Sequence, residues 1–203
     1  LRHNSFFVNS VFWKLLGNFY RGAVEIIPFD FSIKQRITDK FEFKFHARFA
    51  FSDFKEWGNK HNNFFSTYLS IAKKTKCFFD VGAHIGIVTL PVAKIIEGNG
   101  KVFSFEPSKN NLFYLKYHVR KNKLKNVQII DKAVSSKNEH SSLYEANQPT
   151  GMSSLIPIKS KKITIRSSVE SITLDDFCDN NKIRPEIIKV DIVKQIIKKI
   201  LVL

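Results

Sequence analysis

Apolar and polar residues follow three different rhythms along this chain, and the changes of rhythm divide it. Over residues 5–20, Phe6, Phe7, Val8, Val11, Phe12, Leu15, Leu16, Phe19 and Tyr20 recur at helical spacing, which predicts an amphipathic helix. Between residues 24 and 51 the period falls to two. Phe41, Phe43 and Phe45 alternate with Glu42, Lys44 and His46, the pattern of a half-buried strand in a small hairpin or cover. Helical spacing returns over 62–73, with Phe65, Leu69 and Ala72 on one side. From residue 77 short unbroken apolar runs take over, at 77–81, 101–105, 127–130 and 186–190. Amphipathic stretches separate them at 85–96 and at 110–123, the second marked by Leu112, Leu115 and Val119. Pro91 sits awkwardly in the first of these, because proline disrupts a helix interior.

Apolar runs alternating with helices make a largely parallel sheet covered on both faces. The fold class expected is therefore α/β and Rossmann-like, with 1–73 as a helical and Phe-rich strand extension and 74–203 as the main domain. One stretch breaks the rhythm. Residues 135–162 are rich in Ser, Lys and Asn, carry Gly151 and two prolines, and predict a long loop or excursion. Edge strands follow at 164–168 and 169–173, then a short helix at 174–178.

The candidate chemistry lies at the strand ends. The four apolar runs lead into Asp80, Glu106, Asp131 and Asp191, at the carboxyl ends where parallel sheets bind ligands. After Asp80 comes Val81-Gly82-Ala83-His84-Ile85-Gly86, a glycine loop that opens a helix. Gly82 permits backbone angles closed to other residues, and Gly86 permits close approach of helix to sheet. Glu106 is placed to accept hydrogen bonds from both hydroxyls of a ribose. The dinucleotide pattern G-x-G-x-x-G lacks its middle glycine here. A carboxylate at the strand end suits a cofactor with positive charge and no pyrophosphate, which describes S-adenosylmethionine; a nicotinamide cofactor stays open as the alternative.

Phe79-Asp80-Val81-Gly82-Ala83-His84-Ile85-Gly86, then Phe105-Glu106-Pro107-Ser108, Leu174-Asp175-Asp176-Phe177 and Ile188-Lys189-Val190-Asp191, resemble the FkbM family of class I S-adenosylmethionine-dependent methyltransferases. The similarity covers roughly residues 76–192. The resemblance implies that Asp80, Gly82, Ala83 and Gly86 cradle the methionine end and that Glu106 holds the ribose. Asp131, Lys132 and Ala133 would lie beside the adenine. It also implies methyl transfer to a hydroxyl oxygen of a small molecule or saccharide. Two positions depart from the family pattern. His84 replaces the usual Asn. After Asp191, Val193 and Lys194 stand where the family has Glu and Gly. With about four strands of a seven-stranded sheet accounted for, the expectation is a C-terminally truncated or frameshifted chain.

Methyl transfer needs alignment and, for some acceptors, a base. Asp191 is the expected contact to acceptor or cofactor. His84 is either a base titrating near neutrality or a histidine that stabilises the loop.

Composition adjusts this picture at the margins. Lys and Arg number 33 against 18 Asp and Glu, giving a net charge of +15. That charge keeps a basic nucleic-acid-binding protein open as a rival, although the excess is spread along the chain rather than gathered in one stripe. Peripheral contact of the first helix with a membrane is a weaker expectation. Cys77 and Cys178 have no ligand-like spacing, which points to a reducing, cytoplasmic setting and no metal site, with Cys77 as buried filler. An inactive methyltransferase remnant is the remaining reading.

Overall fold

A computed structural model describes residues 19–20, 22, 31–52, 54–55, 65–146, 153–154 and 163–191. The amphipathic helix expected at 5–20 falls outside these residues except at Phe19 and Tyr20, and the segment after Asp191 lies wholly outside them.

The first described strands are β1 (Ser32–Ile37) and β2 (Phe41–His46), which pair antiparallel. As the alternation predicts, Phe43 and Phe45 are buried while Glu42 and Lys44 face solvent. Helix α1 (Phe65–Ala72) leads to β3 (Cys77–Val81). Then come α2 (Thr89–Ile95), β4 (Lys101–Phe105), α3 (Lys109–Lys121) and β5 (Val127–Ile130). After a second sheet, α4 (Leu174–Asn181) returns the chain to β10 (Ile187–Val190).

The central sheet has the order β10-β3-β4-β5, with every neighbouring pair parallel. The chain moves outward from β3 through β4 to β5, then crosses back to place β10 on the other side of β3. The tips of β3 and β10 therefore flank a topological switch point, the crevice where such sheets take ligands.

Each face of the sheet has its own apolar layer. Phe78 and Val102 pack with Leu90 and Val92 of α2, Leu115 and Val119 of α3, and Phe43 and Phe45 of the hairpin. On the opposite face Phe79, Phe103 and Phe105 meet Phe177 of α4 edge-on, with ring centroids 5.7, 5.9 and 4.9 Å away. Helix α4 starts where Thr173 Oγ1 accepts the Asp176 N–H at 3.0 Å. Cys77 and Cys178 belong to this second layer, both as free thiols; burial pushes Cys77 up to about 11 and raises Cys178 as well. Neither is a thiolate near neutrality.

Three expectations need correction. The helix expected from residue 85 begins at Thr89, because residues 82–88 form the turn. Pro91 then falls in the first helical turn, where a backbone N–H has no intrahelical acceptor, so it disrupts nothing. The polar stretch expected as a loop contains β7 (Glu139–Ala146) and β8 (Ser153–Ser154). The two edge strands expected at 164–173 form one strand, β9 (Ile163–Ile172), which lies inside a sheet of order β6-β9-β7-β8, with β6 being Ala133–Val134. Strand β9 pairs antiparallel with β7 and parallel with β6. Among the described residues of this sheet, Ala133, Leu143 and Val169 form a small buried cluster.

Candidate functional site

The loop after β3 is fixed mainly by its own amides. Gly82 and Ala83 both donate their N–H groups to the Phe105 carbonyl, each at 3.0 Å, and Gly86 donates to the Ala83 carbonyl at 2.9 Å. The His84 N–H donates to Glu106 Oε2 at 2.7 Å. Three loop residues have positive φ: Gly82 at 75°, His84 at 53° and Gly86 at 99°. Two of these are glycines for distinct reasons. A Cβ on Gly82 would lie 2.4 Å from the Asp191 carbonyl oxygen, so the missing side chain lets the tips of β3 and β10 close together. A Cβ on Gly86 would meet Leu115 Cδ1 at 2.9 Å, so this glycine seats the loop on α3.

Glu106 directly follows β4 as a buried carboxylate held by surrounding donors. Besides the His84 amide on Oε2, Oε1 accepts from the Ser108 N–H at 2.9 Å and from Asn111 Nδ2 at 3.2 Å. Ser108 also caps α3, with its Oγ accepting the Asn111 N–H at 3.3 Å. The same few residues thus start α3, orient Glu106 and tie β4 to the glycine loop.

Beneath the loop runs a buried polar row that follows from the strand register. Lys189, Asp80 and Ser104 are cross-strand neighbours on β10, β3 and β4. Asp80 is 0% exposed. Its Oδ2 accepts the Thr89 hydroxyl at 2.6 Å, and Thr89 Oγ1 lies 2.9 Å from Ser104 Oγ. Lys189 Nζ sits 2.9 Å from Asp80 Oδ1 and donates to the Gly82 carbonyl at 3.2 Å. Asp80 Oδ1 accepts no directed hydrogen bond, so its compensation is this ion pair. Sequence reasoning gave Lys189 no role; its signal was a lysine inside an apolar strand, which is rarely buried without a carboxylate partner.

Asp191 stands at the mouth of the crevice. Its N–H donates to the Val81 carbonyl at 3.0 Å, while its side chain is 67% exposed and lies 3.8 Å from Lys189 Nζ. Asp131 is exposed directly after β5. Lys132 and Ala133 lead into the second sheet: Lys132 pairs with Glu170 of β9 at 2.7 Å, and Ala133 is buried in β6. The structure therefore brings Asp80, Gly82, Ala83, His84, Gly86, Glu106 and Asp191 together at the carboxyl ends of β3, β4 and β10, with 131–133 on the step toward the neighbouring sheet.

His84 does not titrate near neutrality. Burial, reinforced by the Lys189 charge and only partly countered by Asp191, lowers its imidazole to about 4. It is neutral at pH 7, and its buried Nε2 has no hydrogen-bond partner. A second buried histidine supports the loop from behind. His118 of α3 donates from Nδ1 to the Ile85 carbonyl at 2.8 Å, so its Nε2 accepts the His46 N–H at 3.1 Å. Burial lowers it too to about 4. Among the described residues no three His, Cys, Asp or Glu side chains converge as metal ligands, and no helix is long and apolar enough to cross a membrane.

The family model of the methyltransferase FkbM domain matches residues 80–192. The chain belongs to that family. The match begins at Asp80 and runs through the glycine loop, Glu106 and Asp191. An FkbM methyltransferase from Methylobacillus flagellatus KT is 19% identical, with a TM-score of 0.40 over 59% of this chain and 26% of its own. An S-adenosylmethionine-dependent methyltransferase from Aquifex aeolicus is 23% identical, with a TM-score of 0.31 over 34% of this chain and 37% of its own. One from Agrobacterium tumefaciens is 12% identical, with a TM-score of 0.37 over 54% of this chain and 34% of its own. This FkbM-family chain thus spans well under two thirds of those solved chains. No curated protein matches it.

Proposed function

We propose that the chain forms the cofactor-binding part of an S-adenosylmethionine-dependent methyltransferase whose acceptor is a hydroxyl oxygen of a small molecule or saccharide. The observation that carries this reading is the state of the loop amides. A pyrophosphate bound at a glycine loop needs free N–H donors there. In this loop the amides of Gly82, Ala83, His84 and Gly86 already have acceptors. The donor set therefore fits a dinucleotide poorly and leaves recognition of the cofactor to its ribose.

When bound, S-adenosylmethionine supplies an electrophilic methyl group on a sulfonium. Glu106 would accept from the ribose hydroxyls, its carboxylate already oriented by three N–H donors. Gly82, Ala83 and Gly86 would shape the wall at the methionine end. Asp80 acts there as a positioning residue, since its carboxylate is committed to Thr89 and Lys189. Asp131, Lys132 and Ala133 would border the adenine. Asp191, exposed at the mouth, would meet the acceptor, orient its hydroxyl and accept its proton. Neutral His84 is a weak base and suits a hydrogen-bonding part better.

The acceptor is tested by incubating the chain with methyl-labelled cofactor and hydroxyl-bearing saccharides. Label recovered in a base-stable ether, and reduced at least tenfold by Asp191→Asn, is the expected result. Label found only in base-labile esters or on nitrogen would contradict the hydroxyl acceptor.

A further inference from the structure

We propose that the outward face of α3 docks the protein on an anionic phospholipid surface. Between Glu106 and Asp131 the chain carries Lys109, Lys116, Arg120, Lys121, Lys123 and Lys125 and no acidic residue. Lys109, Phe113, Lys116 and Arg120 recur at helical spacing and are exposed along one side of α3, and Lys123, also exposed, follows just past its end. Phe113, in the middle, is 59% exposed.

Several basic side chains elsewhere on the surface are matched by acids. Lys34 meets Glu42, Lys55 meets Asp39, Lys132 meets Glu170 and Arg184 meets Asp179. Lys109, Lys116, Lys123 and Lys125 make no ion pair with the described residues. Lys109, Lys116 and Lys123 thus bring charge that the described residues do not pair to the face that carries Phe113, in a protein of net charge +15.

Two features favour a lipid surface over nucleic acid. The face is the outside of a helix, a convex rib, whereas single strands are held in grooves lined by several stacking rings. It is also mostly lysine, a flexible point charge suited to headgroup phosphates, rather than the arginine forks of base recognition. Each basic residue near an anionic membrane adds roughly fivefold to partitioning. The stripe therefore predicts reversible, salt-sensitive adsorption with Phe113 at the headgroup boundary.

The test uses the 203-residue chain and sedimentation with phosphatidylcholine vesicles containing about a third phosphatidylserine. Binding to these and not to pure phosphatidylcholine vesicles is expected, falling as salt rises. Lys116→Glu should weaken it roughly twentyfold, and Phe113→Ser roughly fivefold. A Phe113→Trp variant should show new quenching by brominated lipid, and unchanged melting temperatures would confirm that the variants fold. Equal binding to neutral vesicles, or full binding by Lys116→Glu, would overturn the proposal. So would an oligonucleotide affinity that the same variants lose while vesicles are ignored; that result would assign the face to nucleic acid.

Discussion

The two sheets of this molecule are built on opposite principles. The parallel sheet is covered on both faces, so its inner strands are nearly all buried: Phe78 and Phe79 are both 0% exposed although they point in opposite directions. Among the described residues of the mixed sheet, Ala133, Leu143 and Val169 form a separate small buried cluster, while Val134 and Ile172 pack into the layer around Phe177. The central strands of that sheet carry Ser141, Ser142, Ser167 and Ser168, with Ser142 opposite Ser168. A sheet buried on both sides can hold a charged pair away from water and fix it. The mixed sheet carries serines at its centre and an exposed ion pair, Lys132 with Glu170, instead. The candidate site is built on the first kind, with Asp80 and Lys189 at its floor.

The largest test of this contrast is at that floor. Lys189→Met should cost about 4 kcal/mol of stability, because it leaves the Asp80 carboxylate buried without its cation. The double variant Asp80→Asn with Lys189→Met should recover most of that loss, since a neutral pair needs no compensation. Denaturant titration of the three chains measures both numbers. Equal stabilities for the single and double variants would show that the buried pair is not the anchor.

A smaller effect is expected from the histidines behind the loop. His84 and His118 both sit near 4 in the folded protein, below their ordinary value of 6.5. Between those values the unfolded chain binds more protons than the folded one. Stability is therefore complete above about pH 6.5 and is lost as pH falls toward 4. The fully buried His118 contributes on the order of 3 kcal/mol to that loss. A melting temperature that falls over this window, with a shallower fall in His118→Gln, is the expected outcome. A flat profile across the window would contradict the buried neutral state.

The least disruptive test is in the mixed sheet. Leu143→Ala removes the largest side chain of its cluster and should cost about 2 kcal/mol. Hydrogen exchange should then accelerate in β7 and β9 while the amides of β3, β4 and β5 stay protected. Acceleration in all of these strands together would mean that the two sheets unfold as one unit.

The same contrast explains which parts were legible in the sequence. Strands β3, β4 and β5 match the expected ranges because an unbroken apolar run between a helix and an acidic strand end has few other structures to adopt. Strand β7 hid in Glu139-His140-Ser141-Ser142-Leu143, where a single buried leucine gives no alternation to read. The residues around the crevice were legible because each stands at a strand end or in the glycine loop. What those side chains do there was less so. That Asp80 faces inward and that Lys189 answers it depends on the register between β10 and β3, which is not local to either strand. The state of His84 depends on burial by its neighbours, which its position in the loop does not announce.

The measurement that bears most directly on the central claim is a calorimetric titration of the chain with S-adenosylmethionine, beside a Glu106→Ala control. The account predicts saturable one-to-one binding, weakened at least tenfold by the variant through loss of two or more hydrogen bonds at the ribose. Its competition by S-adenosylhomocysteine and not by a nicotinamide dinucleotide is expected as well. No binding by a cooperatively folded sample, or equal binding by the Glu106→Ala chain, would contradict it.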